Sequence, residues 1–249
     1  MSRQIRKAKV LSTKQITPHL QRIIIGSDEF KELTDKVEGN YIKILIPKNG
    51  ANNADLNIKT ACMRSYTIRH VQPETGALTI DFVINMHQGP ATYWAQKAKV
   101  GDSLAIAGPG PKKLDDFKHS HYVLLGDLTS VNAIKGYLQQ LPTSAKIDTF
   151  IHVPTKQDII SLETSRQVNW VITNTPQQSI LTAMGNLTIT EQLPIVFMAL
   201  EASLVSTLKT TFSQQYSIPR TNIVASGYWK KGFDSERYKQ QRQQQSQTA

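Results

Sequence analysis

The chain is poor in cysteine, in acidic residues and in long apolar runs, and each shortage closes off a class of protein. Cys62 is the one cysteine among 249 residues, so neither an intramolecular disulfide framework nor a zinc site of clustered cysteines can be built, and a reducing compartment is expected. No run of about 18 apolar residues occurs that would span a bilayer. The basic start, Met1–Lys7, lacks the apolar stretch of a secretory signal. A cytoplasmic location without a membrane span is therefore expected. Only 19 Asp and Glu offset 29 Lys and Arg, which leaves a net charge of +10 and selects for anionic partners: a nucleic acid, a membrane surface or an anionic small molecule. Residues 1–118 hold 18 of the basic and 11 of the acidic side chains, so most of the excess lies in the first half. Aromatics make up 7% of the chain and are not interleaved with the basic residues as base-stacking platforms would be, which counts against an RNA- or DNA-binding module.

What is present is enough for two modest cores: 249 residues, 39% of them hydrophobic. The first half alternates short β-branched or apolar runs with turn residues: 21–25, 41–46, 65–68, 78–84 and 103–107. Runs of this length and spacing predict an antiparallel β-barrel. Gly89-Pro90 introduces residues 91–98, where proline in the first turn favours a helix. In the second half, apolar runs at 122–125, 147–153, 168–172, 195–200 and 223–225 alternate with helical segments, the clearest at 130–140 and 201–216, which predicts a parallel sheet with crossover helices. The expected fold is thus a barrel domain over 1–116 and an α/β domain over 117–238, with the loop Ala107-Gly108-Pro109-Gly110-Pro111 followed by Lys112–His119 as the hinge. The polar, glutamine-rich stretch 239–249 has no apolar face to bury.

A barrel followed by a parallel α/β domain suits a flavin in the first and a reduced nicotinamide in the second. On a strand, Arg64 and Tyr66 would share one face, the guanidinium against a pyrophosphate and the ring along the flavin, while Thr67 donates to the flavin ring. Gly89-Pro90-Ala91-Thr92 would offer helix-start N–H groups to the same pyrophosphate. By itself, each pattern is equally ordinary barrel surface.

Taken together, Arg64-Ser65-Tyr66-Thr67-Ile68-Arg69, Asp81-Phe82-Val83, Gly89-Pro90-Ala91-Thr92-Tyr93-Trp94-Ala95, Gly101-Asp102, Ala107-Gly108-Pro109-Gly110 and Ser226-Gly227-Tyr228-Trp229-Lys230-Lys231-Gly232 resemble the siderophore-interacting proteins, ferric-siderophore reductases related to the ferredoxin–NADP reductase superfamily. The likeness covers nearly the whole chain. It implies that Arg64, Ser65, Tyr66 and Thr67 hold FAD, that Gly89, Pro90, Ala91 and Thr92 line its pyrophosphate, and that Asp81, Phe82 and Val83 contribute from the neighbouring strand. Asn85 stands where many members carry His, and His87 reads as a surface residue. In the α/β half, Asp127 and Thr129 of Gly126-Asp127-Leu128-Thr129-Ser130, and Glu201, fall where a nucleotide would dock, although Leu128, Asn132 and Leu200 depart from the family's pattern; Glu201 reads equally as a first-turn carboxylate. Trp229 either covers the flavin or closes a core with Tyr228.

The resemblance further implies electron transfer from NADH or NADPH, or from a ferredoxin, through FAD to siderophore-bound Fe(III). Such chemistry calls for no catalytic nucleophile and no resident metal. An anionic iron chelate would be held by lysines; Lys43 matches a family lysine, Lys112 lies near another basic position, and Lys230 or Lys231 completes the set. A monomer is expected. The alternatives are another flavin or ferredoxin reductase of the superfamily and, from a different class, a basic nucleic-acid-binding protein.

Overall fold

The computed structural model describes residues 5–47, 56, 61–86, 89–189 and 192–233; His87 and the polar stretch from Lys239 onward lie outside them. The chain forms two compact units, Met1–Lys112 with Lys135–Tyr137, and Lys113–Ile134 with Leu138–Ala249.

In the first unit six strands close a barrel in the order β1-β2-β5-β4-β3-β6: β1 (Ile5–Thr17), β2 (Leu20–Gly26), β3 (Tyr41–Ile46), β4 (Cys62–Gln72), β5 (Ala77–Val83) and β6 (Ser103–Gly110). Every neighbouring pair is antiparallel. Closure leaves no unpaired edge to recruit another strand. β1 begins in the basic start and continues through a segment for which the sequence predicted no strand. It nevertheless alternates, with Arg6, Ala8 and Val10 buried and Lys7, Lys9 and Leu11 exposed, because it is hydrogen-bonded on both sides, to β2 and to β6. The segment 108–110, read as hinge, instead prolongs β6, where Gly110 pairs with Tyr41 of β3. Ile23, Ile25, Ile42, Ile44, Ile68, Ile80, Phe82, Leu104 and Ile106 fill the interior. Helix α1 (Pro90–Lys97) follows β5 and seals this core with Ala91 and Ala95.

The second unit is a parallel five-stranded sheet in the order β11-β10-β7-β8-β9: β7 (His121–Asp127), β8 (Lys146–Val153), β9 (Asn169–Ile172), β10 (Ile195–Glu201) and β11 (Ile223–Trp229). β7 and β10 are almost wholly buried, as central parallel strands are. Helices α2 (Val131–Gln140), α3 (Pro176–Ala183) and α4 (Ala202–Gln214) alternate with the strands. On one face Ile180 of α3 and Leu204, Val205, Leu208 and Phe212 of α4 pack against Val123, Leu125, Val196 and Met198. Phe212 is fully buried, a contribution of roughly 2–3 kcal/mol by area. Gly126 permits the close approach of α2: a Cβ there would lie 2.3 Å from Ile134 Cδ1 and 2.4 Å from Ser130 Oγ.

Candidate functional site

In the barrel unit, β3 and β4 pair with Ile44 opposite Arg64, Lys43 opposite Ser65, Ile42 opposite Tyr66 and Tyr41 opposite Thr67. Ile42 and Ile44 belong to the interior, so the pleat sends Arg64 and Tyr66 to that side, and Ser65 and Thr67 to the other. The Tyr66 ring lies 4.3 Å from the ring of Phe82, which is 5.6 Å from that of Trp94 on α1. Burial pushes the Tyr66 phenol well above its ordinary range, the Arg64 charge opposing it, so the hydroxyl stays protonated at physiological pH. One Arg64 nitrogen donates to the Met63 carbonyl at 2.9 Å. Lys43 donates to Ser65 Oγ and lies 5.5 Å from the centre of the Tyr41 ring.

Along β5, Phe82 faces the interior while Asp81 and Val83 lie on the alternate positions. Asp81 accepts a two-pronged hydrogen bond from its cross-strand neighbour Arg22, at 2.7 and 3.0 Å, and Arg69 Nε lies 3.8 Å away. Val83 gives its carbonyl to the Thr92 hydroxyl at 3.2 Å, which ties the start of α1 to the end of β5. Asn85 adopts φ +60, a conformation Asn tolerates better than most residues. Its amide donates to the Pro18 carbonyl at 2.9 Å and its carbonyl accepts from Gln96 at 2.7 Å, so it joins the β1–β2 turn to α1. Gly89 precedes α1 with open space where a side chain would project. Pro90 opens the helix, and the first-turn N–H groups of Ala91 and Thr92 have no carbonyl behind them within the helix.

Lys112 donates to the Lys36 carbonyl at 3.4 Å. Partial burial holds its pKa below the usual lysine value, with Glu38 opposing the shift.

In the α/β unit, the residues read as nucleotide contacts gather at the carboxyl ends of the strands, where β7 and β10 lie side by side and the strand order reverses. Asp127 closes β7 and is 3% exposed. One carboxylate oxygen accepts from both the N–H and the hydroxyl of Thr129, at 2.8 and 2.5 Å, and the other from the indole N–H of Trp229 at 2.8 Å. Burial raises its pKa; these hydrogen bonds and the nearby His152 oppose the shift. Glu201 ends β10 and caps α4, accepting from the N–H groups of Ser203 and Leu204 at 2.6 and 3.1 Å. Its other oxygen accepts from the Lys231 backbone N–H at 3.1 Å. Lys230 Nζ lies 4.4 Å from the centre of the Phe233 ring. Sequence reading missed the Trp229–Asp127 pair, since nothing local to either residue announces a partner 102 positions away. It also passed over Lys113, which reaches Ser226 Oγ at 2.5 Å, in favour of its neighbour Lys112. Among the described residues no cluster of His, Cys, Asp and Glu could hold a metal ion, and no helix is long and apolar enough to cross a membrane.

A family model described as a siderophore-interacting FAD-binding domain matches residues 9–113, and one described as siderophore-interacting protein matches residues 119–232. The ferric vibriobactin reductase ViuB of Vibrio cholerae is 28% identical over 92% of this chain and 90% of its own length. The crystal structure of the siderophore-interacting protein SipS from Aeromonas hydrophila superimposes with a TM-score of 0.84 at 30% identity, covering 98% of this chain and 99% of that one. A ferredoxin NADP+ reductase from Neisseria gonorrhoeae with bound FAD and NADP shares the fold, with a TM-score of 0.64 at 14% identity over 90% of this chain and 99% of that one.

Proposed function

From a chain that belongs to the siderophore-interacting protein family, we infer a reductase that takes electrons from NADH or NADPH, or from a ferredoxin, and passes them through FAD to Fe(III) held in an anionic siderophore, releasing Fe(II) in the cytoplasm. FAD supplies the redox chemistry when bound, accepting electrons in pairs and delivering them singly. The residues of the barrel unit suit it. The Arg64 cation and the α1 first turn offer charge and N–H donors for a pyrophosphate, Tyr66 on its Phe82 support gives a flat apolar wall for a flavin ring, and Ser65 and Thr67 supply hydroxyl donors. Asp81 on β5 acts indirectly, holding Arg22 of β2 and Arg69 of β4, and Phe82 and Val83 support Tyr66 and Thr92. Hard oxygen donors that favour Fe(III) let go of Fe(II), so the protein needs to position a chelate and gate electrons rather than break a bond.

The observation that carries this reading is the combination of Arg64, Tyr66 and the Gly89–Thr92 helix start on neighbouring elements of one barrel, in a chain related over 92% of its length to a protein named for ferric vibriobactin reduction. The purified protein is expected to be yellow, its flavin to bleach on mixing with NADH, NADPH or reduced ferredoxin, and the colour to return on adding a ferric catecholate chelate under anaerobic conditions. Arg64→Ala should weaken FAD binding at least tenfold, about 1.4 kcal/mol and within reach of one charge-assisted hydrogen bond. A flavin that no donor bleaches, or that stays bleached with every ferric chelate, refutes the assignment.

A further inference from the structure

In open parallel α/β sheets the ligand crevice lies outside the carboxyl ends of the strands at the point where strand order reverses, here between β7 and β10. This chain fills that point with its own groups. Trp229 ends β11, and β10 lies between β11 and β7, yet its indole N–H reaches Asp127 at the end of β7. The contact bridges two strand spacings, roughly 10 Å, so the indole passes across the carboxyl end of β10. Beside it, the Glu201 carboxylate occupies the first turn of α4, using the N–H groups of Ser203 and Leu204, the donors a phosphate would need at that helix start. The same carboxylate fastens the next segment of chain through Lys231 N–H. An aromatic ring bars the crevice and a like charge stands where a pyrophosphate would go.

We propose that Asp127, Trp229 and Glu201 determine donor specificity by strapping residues 229–231 across this crevice, so that a nicotinamide dinucleotide seats its pyrophosphate at α4 only when the strap is released. Asp127 and Glu201 are then positioning residues for the strap, and Thr129 orients Asp127. The inference rests on the reading of the chain as a flavin reductase that takes electrons from a donor.

The test is titration of the FAD-loaded full-length chain with NADPH and with NADH, by calorimetry, in the wild type, Trp229→Phe and Asp127→Asn. Trp229→Phe keeps a ring but loses the donor. In Asp127→Asn the remaining oxygen is claimed by Thr129, which turns an amide NH2 toward the indole N–H. Both variants, compared with the wild type at equal FAD occupancy, are expected to bind at least one dinucleotide tenfold or more tighter. Glu201→Gln, which removes the charge but keeps an acceptor for the helix start, should shift affinity in the same direction. In the wild type, exchange of the Trp229 indole proton, one of three indole signals, should quicken when NADPH is saturating. Unchanged or weaker affinity in the folded variants, no dinucleotide binding by any of the proteins, or an indole proton that stays protected with NADPH bound would overturn the strap. Reduction of a ferric chelate by photoreduced flavin, with no dinucleotide present, separates the two ideas: its failure sinks the reductase and leaves the affinity result to judge the strap.

Discussion

Asp148, near the start of β8, lies 2.8 Å from His121 Nε2 and 3.5 Å from Lys146 Nζ. Burial raises its pKa, but the His121 hydrogen bond and the Lys146 charge outweigh that, and the net position is below the ordinary carboxylate value. A folded-state pKa below the unfolded one means that the pairing stabilises fully above the unfolded pKa, about 3.9, and is lost as pH falls through the folded value. Asp148→Ala is therefore expected to cost about 1–2 kcal/mol at pH 7, with the deficit closing below about pH 4, as read from urea unfolding across pH. A deficit that persists undiminished at pH 3 would assign the effect to packing. Side chains read as ligand contacts behave similarly. Asp81, at a family-like position, bonds Arg22, and Asn85, where many members carry His, bonds Pro18 and Gln96. A carboxylate or amide in sequence announces bonding capacity, and only the strand register decides who uses it.

Among the elements, those with strong internal patterns were legible. β3 was read at 41–46 and forms there; α1 was read at 91–98 and forms over Pro90–Lys97, since proline fixes its start. β1 was not read, because Arg6, Lys7, Lys9 and Lys14 mask a period of two that becomes visible only in its burial. α3, an eight-residue helix whose one buried side chain is Ile180, falls between the runs 168–172 and 195–200 but was not among the clearest helical segments. Helix α2 depends on a residue outside it. Gly126→Ala sets a methyl against Ser130 Oγ, which bonds the Asp127 N–H and carbonyl, and against Ile134, so it should destabilise the protein by about 1–3 kcal/mol and shift the far-ultraviolet melting midpoint downward. A midpoint equal to that of the wild type would show that Ile134 and Ser130 yield at no cost.

For the whole molecule, charge is the property that acts at a distance. Four of its 29 basic side chains, Lys43 and Lys112 of the barrel unit and Lys230 and Lys231 of the α/β unit, were read as attracting the chelate. Replacing all four by Gln cuts the net charge from +10 by four, and is expected to weaken binding of an anionic ferric chelate at least tenfold and to flatten its salt dependence, without loss of FAD. Chelate binding that is unchanged at low salt would place recognition on other residues.

The sequence by itself determined the family, the barrel and the parallel sheet, because hydrophobic period, turn residues and the Arg64–Thr67 and Gly89–Thr92 blocks are local properties that a chain carries before it folds. Tertiary structure alone decided the closure of the barrel by a basic strand, the pairing of Asp81 with Arg22, and the use of Asp127 and Glu201 on Trp229 and Lys231. These are contacts across long sequence separations, set by strand order and register, and no spacing along the chain encodes them.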